Sequence, residues 1–146
     1  MASFEKLRAS LRSHPSPSFG AGARESEIQE AERQLGVPIK GSYRLFVLEF
    51  GWGGAGPYEL FGLGAGVPRY LELVSMTHSE REEMGLHLRH SLLPIMNDGG
   101  GNLYCVDTAA GDEPPIVFWD HEGSEDQVVD VDGSSFADWF KERVDE

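Results

Sequence analysis

Residues 95–107 read IMNDGGGNLYCVD and place three consecutive glycines between two apolar runs. A Walker A phosphate loop needs a Lys and then Ser or Thr after its glycines, and no Lys follows these. A calcium loop needs oxygen ligands at alternating positions, a spacing that Asn97, Asp98 and Asn102 do not keep. A nucleotide-binding fingerprint needs a helix after the glycines, whereas a strand-like run follows here. The stretch therefore predicts a glycine-rich hairpin that joins LLPIM to LYCVD.

The predicted turn contains the residue types that a sharp reversal requires. Asp98 and Asn102 can hydrogen-bond to backbone groups of the turn, and Gly99, Gly100 and Gly101 can adopt positive φ. We therefore interpret Asp98 and the three glycines as a structural turn. The alternative is a backbone site that grips an anion or a partner strand.

From Leu92 onward the sequence favours short antiparallel strands. Apolar residues recur with a period of two, in the runs LLPIMND, NLYCVDT, PPIVFWDHE and QVVDVD. Alternation within LYCVD places Cys105 and Leu103 on one face, opposite Tyr104 and Val106. A strand cysteine among apolar residues is typical of unreactive packing.

Helical spacing marks the rest of the chain. The predicted helices cover residues 1–13, about 26–35, 39–50, 79–90 and 135–144. Ser26 with Gln29 and Ser79 with Glu82 give capping-box patterns, and Gly36 gives a left-handed helix end. Helices followed by a run of strands predict an α+β fold, and the length of 146 residues suits one domain.

Charge is unevenly distributed along the chain. The formal net charge is −13, and residues 98–146 contain 14 acids but only Lys141 and Arg143. An acidic field of this kind repels nucleic acid and anionic lipid and speeds encounter with basic proteins. The alternative is that the acidity only keeps the protein soluble.

The sequence also suggests a compartment. No apolar run approaches the roughly 18 residues that a membrane span needs. The N-terminus does not look like a secretory signal, and the single cysteine, Cys105, permits no internal disulfide. We expect a cytoplasmic protein that has no membrane partner.

Two clusters could hold a metal or act in catalysis. Glu83, His87 and His90 share one predicted helix face, and Asp120–His121–Glu122 follows a strand. No fourth ligand is evident for the first cluster, and the second lies at a strand end beside an acidic loop, where polar residues are expected. We therefore interpret both as exposed polar residues. No GxSxG, HExxH or paired-cysteine motif occurs, and we predict no catalytic residue, metal site or cofactor.

Five blocks of the sequence together resemble the SUKH superfamily. The opening block is EIQEAERQLGVPIKGSYRLFVLEFGWGG, and the others are LFGLG, LLPIMNDGGGNLYCVD, VFWDHE and VVDVDGSSFADWF. The opening block carries the family pattern at Ile28, Glu32, Leu35, Gly36, Pro38, Tyr43, Phe46, Phe50 and Gly51. The resemblance covers about residues 26–141, although Val37 stands where the family usually has Leu and the segment 65–91 has no clear counterpart. We expect a SUKH-like domain over residues 26–146, with residues 1–25 forming a helix and loop that are part of it or appended to it.

The resemblance implies a mixed, mostly antiparallel sheet flanked by helices, and a binding protein rather than an enzyme. Bacterial members bind and neutralise a cognate toxin, and fungal members regulate cell-wall synthesis. We expect an immunity protein that binds a basic toxin directly. The alternative is a regulatory or scaffold module that binds cellular proteins.

Two kinds of residue are candidates for partner binding. Trp52 and Tyr58 lie in or beside a glycine loop, where aromatic side chains can anchor an interface, although Trp52 could equally belong to the core. The acidic candidates surround one strand and are expected at the rim of the interface: Asp112, Glu113, Asp120, Glu122, Glu125 and Asp126.

Overall fold

The computed structural model describes residues 2–83 and 88–146. Its α-helices are α1 (Ala2–Ser13), α2 (Glu25–Leu35), α3 (Gly41–Glu49), α4 (Leu73–His78) and α5 (Phe136–Val144). Its strands are β1 (Pro17–Phe19), β2 (Gly53–Ala55), β3 (Tyr58–Leu60), β4 (Leu92–Asn97), β5 (Leu103–Asp107), β6 (Ile116–Trp119) and β7 (Asp130–Gly133). A short 3-10 turn at Arg69–Leu71 precedes α4, and a π-helical turn at Ser79–Glu83 follows it.

The strands form two antiparallel sheets, which confirms the α+β class. One sheet has the order β1-β2-β3 and the other the order β4-β5-β6-β7. Within the described residues the parallel pairing is a single isolated bridge between Gly62 and Glu72. The predicted hairpin is confirmed, because β4 pairs with β5 and its register ends at Asn97 opposite Leu103.

One large core lies between the helices and the four-stranded sheet. Tyr43 and Phe46 of α3, and Phe50 at its C-cap, contact Phe136 and Phe140 of α5 or one another, with ring centroids 5.4 to 6.4 Å apart. Such aromatic contacts bury a large apolar area. Helix α1 packs against α5 and contributes three buried side chains to this core: Phe4, Leu7 and Leu11.

The opposite face of the four-stranded sheet carries a smaller cluster. Leu103 and Cys105 of β5 pack there with Trp119 of β6. Val106 is buried in the large core, and Tyr104 packs partly against it. The predicted alternation along LYCVD is therefore confirmed.

Several helix ends differ from the sequence prediction. The N-cap of α2 is Arg24, whose backbone N–H donates to the Glu27 carboxylate at 2.9 Å. Because an arginine side chain cannot accept a hydrogen bond, only this half of a capping box forms, and it lies two residues before the predicted Ser26–Gln29 pair.

Helix α4 begins at Leu73, where the Glu72 carboxylate accepts from the Val74 and Ser75 backbone N–H groups, and it ends at His78. The helix predicted from Ser79 is instead a π-helical turn over Ser79–Glu83, and residues 88–90 are not helical. Its predicted middle, residues 84–87, lies outside the described residues.

The other three helix predictions are close to the structure, and the predicted helix 1–13 is α1. The predicted helix 39–50 is α3, and the predicted helix 135–144 is α5, capped by the Ser135 hydroxyl that accepts from the Asp138 N–H at 3.3 Å. None of the helices in residues 2–83 and 88–146 is long and apolar enough to cross a membrane.

Candidate functional site

A cleft of about 730 Å³ opens where the two sheets and the end of α5 meet. We call it the tyrosine cleft, because Tyr58 of β3, Tyr70 of the 3-10 turn and Tyr104 of β5 line it. Asp98 and Gly99 of the β4–β5 turn form part of its wall. The cleft therefore brings the predicted anchor Tyr58 and the predicted turn to one place.

Two of the tyrosines are paired with carboxylates. The Tyr58 hydroxyl donates to Glu146, and the Tyr70 hydroxyl donates to Glu59 at 3.3 Å. The hydrogen bond from Tyr58 to Glu146 raises the pKa of Tyr58, and the charge of Glu59 raises the pKa of Tyr70. Both phenols thus remain neutral at physiological pH, and Tyr70 is 58% exposed.

Tyr104 is covered by a cation. The Arg143 guanidinium lies 5.0 Å from the centre of the Tyr104 ring and 4.3 Å from that of Trp139. Its charge is compensated by Asp132, whose carboxylate lies 2.8 Å away and also accepts from the Trp139 indole N–H.

The cleft is strongly acidic after this pairing. Five carboxylates and one guanidinium line it, a formal charge of −4. Asp132 compensates Arg143, which leaves Glu59, Asp98, Glu142 and Glu146. These four carboxylates have no Lys or Arg ion-pair partner within residues 2–83 and 88–146. A charge of this sign attracts a cationic ligand.

The β4–β5 turn is held by Asp98. Its Oδ1 accepts from the backbone N–H groups of Gly100 at 2.7 Å and Asn102 at 3.0 Å, and its Oδ2 accepts from the Asn102 side chain at 3.0 Å. Burial opposes ionisation of this carboxyl, but the hydrogen bonds outweigh it and hold the pKa of Asp98 below its ordinary value. Gly99 and Gly101 adopt φ of +89° and +98°, as the predicted turn requires.

The β6–β7 loop adjoins this turn. Asn102 Oδ1 accepts the backbone N–H of His121 at 3.0 Å and so connects the two segments. Four of the acidic candidates are exposed in this loop: Asp120, Glu122, Glu125 and Asp126. The loop adds negative charge to the end of the sheet that carries Asp98.

The remaining acidic candidates lie elsewhere. Asp112 and Glu113 precede β6, at the end of the strand opposite to Asp120. Asp112 is exposed, whereas Glu113 accepts from the Ser42 backbone N–H at 2.9 Å and from its hydroxyl at 2.8 Å. The structure therefore divides the six acidic candidates into two separate groups.

Trp52 is not part of the tyrosine cleft. Its ring is half-buried against the large core, and its indole N–H donates to the Ala65 carbonyl at 3.3 Å. Its role as an anchor remains a prediction.

The sequence offered clusters of His, Asp and Glu as possible metal ligands and Cys105 as a possible nucleophile. No group of three His, Cys, Asp or Glu residues within the described parts of the chain could hold a metal ion. His87 lies outside the described residues, as does the side chain of Glu83, so the Glu83–His87–His90 cluster is not described. Burial raises the pKa of the Cys105 thiol and keeps it protonated.

A comparison over nearly the whole chain identifies its family. A SUKH family model (SUKH_5), described as SMI1-KNR4 cell-wall, matches residues 2–145. The chain belongs to this SUKH family. Members are generally non-enzymatic immunity or regulatory proteins that bind protein partners. The match includes α1 and the segment 65–91, both of which the sequence resemblance left out.

Most residues of the tyrosine cleft carry no signal in the sequence that marks them as part of a site. Tyr70 lies in the segment without a counterpart, and its sequence signal is a large aromatic between Arg69 and Leu71. Tyr104 is taken only as a strand residue. Glu59, Glu142 and Glu146 carry no local signal, because they come together only through the packing of α5 beside β3.

Proposed function

We propose that this SUKH protein is an intracellular immunity protein that neutralises a basic toxin by direct, non-covalent binding. The observation that carries the proposal is the acidic end of the molecule, where the tyrosine cleft, with its formal charge of −4, and the exposed carboxylates of the β6–β7 loop lie side by side. Family membership supports a binding role without catalysis.

The mechanism is occlusion aided by electrostatic steering. Toxins that act on nucleic acid carry basic clefts, which an acidic surface meets quickly and covers. Exposed carboxylates such as Glu122, whose side chain is 80% exposed, keep their hydration until contact and mainly raise the association rate. Neutralisation then results from blocking access of the substrate to the toxin.

The test begins with capture of binding proteins from the cells that encode this chain, together with inspection of the adjacent open reading frames. We expect one basic protein, encoded next to this chain, whose activity is lost at a one-to-one ratio. Glu122→Lys and Asp126→Lys should each slow association, whereas Glu5→Lys, an equal charge change on α1, should not. A captured neighbour that keeps full activity in the complex would contradict the immunity role.

The second candidate is a regulatory or scaffold module. The description of the matching family as SMI1-KNR4 cell-wall favours it. Capture of several cellular proteins, with no toxin gene adjacent, is the outcome expected for this role.

A further inference from the structure

One guanidinium of the chain itself, that of Arg143, is bound in the tyrosine cleft. Arg143 stacks over Tyr104, with 5.0 Å between guanidinium and ring centre, and Asp132 accepts its hydrogen bond at 2.8 Å. An aromatic face and a carboxylate together supply both the cation–π attraction and the charge-assisted hydrogen bond that a guanidinium prefers.

Two further pairs of a tyrosine and a carboxylate line the cleft, and in the described parts of the chain no Lys or Arg side chain stacks on either ring. Tyr58 is paired with Glu146, and Tyr70 is paired with Glu59. Neither Glu146 nor Glu59 has a Lys or Arg ion-pair partner within the described parts of the chain. Two aromatic–carboxylate pairs thus face a cleft that is acidic even after Arg143 is compensated.

The size and sign of the cleft limit what it can bind. A volume of about 730 Å³ lies within the range of clefts that bind small molecules, so it can hold more than one side chain of a partner. Nucleic acid and a second copy of this chain, which carries a net charge of −13, are both repelled. Arginine suits the cleft better than lysine, because its planar guanidinium can stack on a ring and bind a carboxylate bidentately.

We propose that the tyrosine cleft is the binding site for arginine side chains of a basic protein segment, held between Tyr58–Glu146 and Tyr70–Glu59. This inference rests on the proposed function only for the identity of the protein that supplies the segment. The β6–β7 loop then guides the partner, and the cleft gives it a specific anchor.

The direct test is a titration of the full chain with the blocked peptide Arg-Gly-Arg, followed by NMR of the tyrosine ring signals. We expect saturable shifts at Tyr58 and Tyr70 at low salt. The peptide Cit-Gly-Cit, in which neutral citrulline replaces each arginine, is the matched control and should leave the signals unchanged. Equal shifts with both peptides, or no shift with Arg-Gly-Arg, would overturn the inference.

Substitutions in the tyrosine cleft test whether Arg-Gly-Arg binds there. The double variant Glu59→Gln/Glu146→Gln should weaken Arg-Gly-Arg binding by about tenfold, on the order of two weakened surface charge interactions. Tyr70→Ala, at an exposed position, should weaken it by about threefold to tenfold through loss of a cation–π contact. Glu5→Gln removes one charge outside the cleft and should preserve binding, so an equal loss with Glu5→Gln would show a non-specific field and overturn the site.

The captured partner separates this inference from the proposed function. If the cleft variants still bind and neutralise the partner as the wild type does, the cleft is not the anchor and the immunity role stands. If Arg-Gly-Arg binds the cleft as expected but the captured proteins include no toxin, the arginine site stands and the immunity role is wrong.

Discussion

Asp98 shows how a single carboxylate sets the conformation of a turn. It accepts three hydrogen bonds from Gly100 and Asn102, and they hold the pKa of its carboxyl below the ordinary value. We expect Asp98→Ala to lower the free energy of unfolding at pH 7 by about 1 kcal/mol, because charge-assisted bonds at an exposed site are partly screened by water. Urea unfolding measures this loss.

The pH dependence gives a sharper test of Asp98. A carboxyl whose folded pKa is depressed contributes stability above its unfolded pKa, about 4, and loses it as the pH falls through the folded pKa. The difference between wild type and Asp98→Ala should therefore stay constant from neutral pH down to about pH 5 and shrink as the pH falls below about 4. Asp112→Ala, an exposed acid of the β5–β6 loop, should show no such difference, and an undiminished Asp98 effect at low pH would contradict the assignment.

The glycines of the turn are not equivalent. Gly101 has φ of +98°, and a Cβ there would lie 3.3 Å from the His121 ring, whereas Gly100 has ordinary φ and a Cβ would lie 3.5 Å from Asp98. We expect Gly101→Ala to cost about 1–2 kcal/mol of stability through backbone strain and the ring contact. Gly100→Ala should change stability by less than about 0.5 kcal/mol. Similar thermal denaturation of both variants would contradict this difference.

At the level of elements, Ser42 connects the beginnings of two helices. Its hydroxyl donates to Glu113 at 2.8 Å and accepts the backbone N–H of Ala137 in the first turn of α5 at 3.0 Å. Ser42 and Ala137 are both fully buried. We expect Ser42→Ala to destabilise the protein by about 1–3 kcal/mol, because it leaves the Ala137 N–H without its partner.

The matched control for Ser42 is Ser26. Ser26 is exposed on α2, and the cap that the sequence assigned to it belongs to Arg24. Ser26→Ala should change stability by less than about 0.5 kcal/mol. A loss comparable with that of Ser42→Ala in chemical denaturation would show that Ser26 does cap the helix.

For the whole molecule, the asymmetric charge predicts how salt affects binding. With the captured partner, the association rate should fall steeply as ionic strength rises past about 0.1 M, where the screening length is roughly 10 Å. The dissociation rate should change much less, because short contacts in the interface are screened less. Stopped-flow mixing measures both rates, and a salt-independent association rate would exclude steering while leaving direct binding intact.

The sequence alone determined the features that depend on neighbouring residues. The glycines of the turn predicted the β4–β5 hairpin, and the helical spacing of apolar residues predicted α3 and α5. The alternation of side chains predicted the two faces of LYCVD. The SUKH resemblance could be recognised for the same reason, because each of its blocks is a short continuous stretch of sequence. Strands β1 and β2 were missed, because three residues with Pro or Gly carry no measurable period and are held by pairing with distant segments.

Only the tertiary structure decided which residues meet. Packing of α5 beside β3 brings Tyr58 to Glu146 and forms the tyrosine cleft, and the direction of β6 separates Asp112 and Glu113 from the β6–β7 loop. Glu113, an acidic candidate by composition, accepts hydrogen bonds from Ser42 at the start of α3. Hydrogen bonding and burial along a helix or strand repeat with the local period. Contacts between residues far apart in sequence depend instead on how complete elements pack, and no short stretch encodes that.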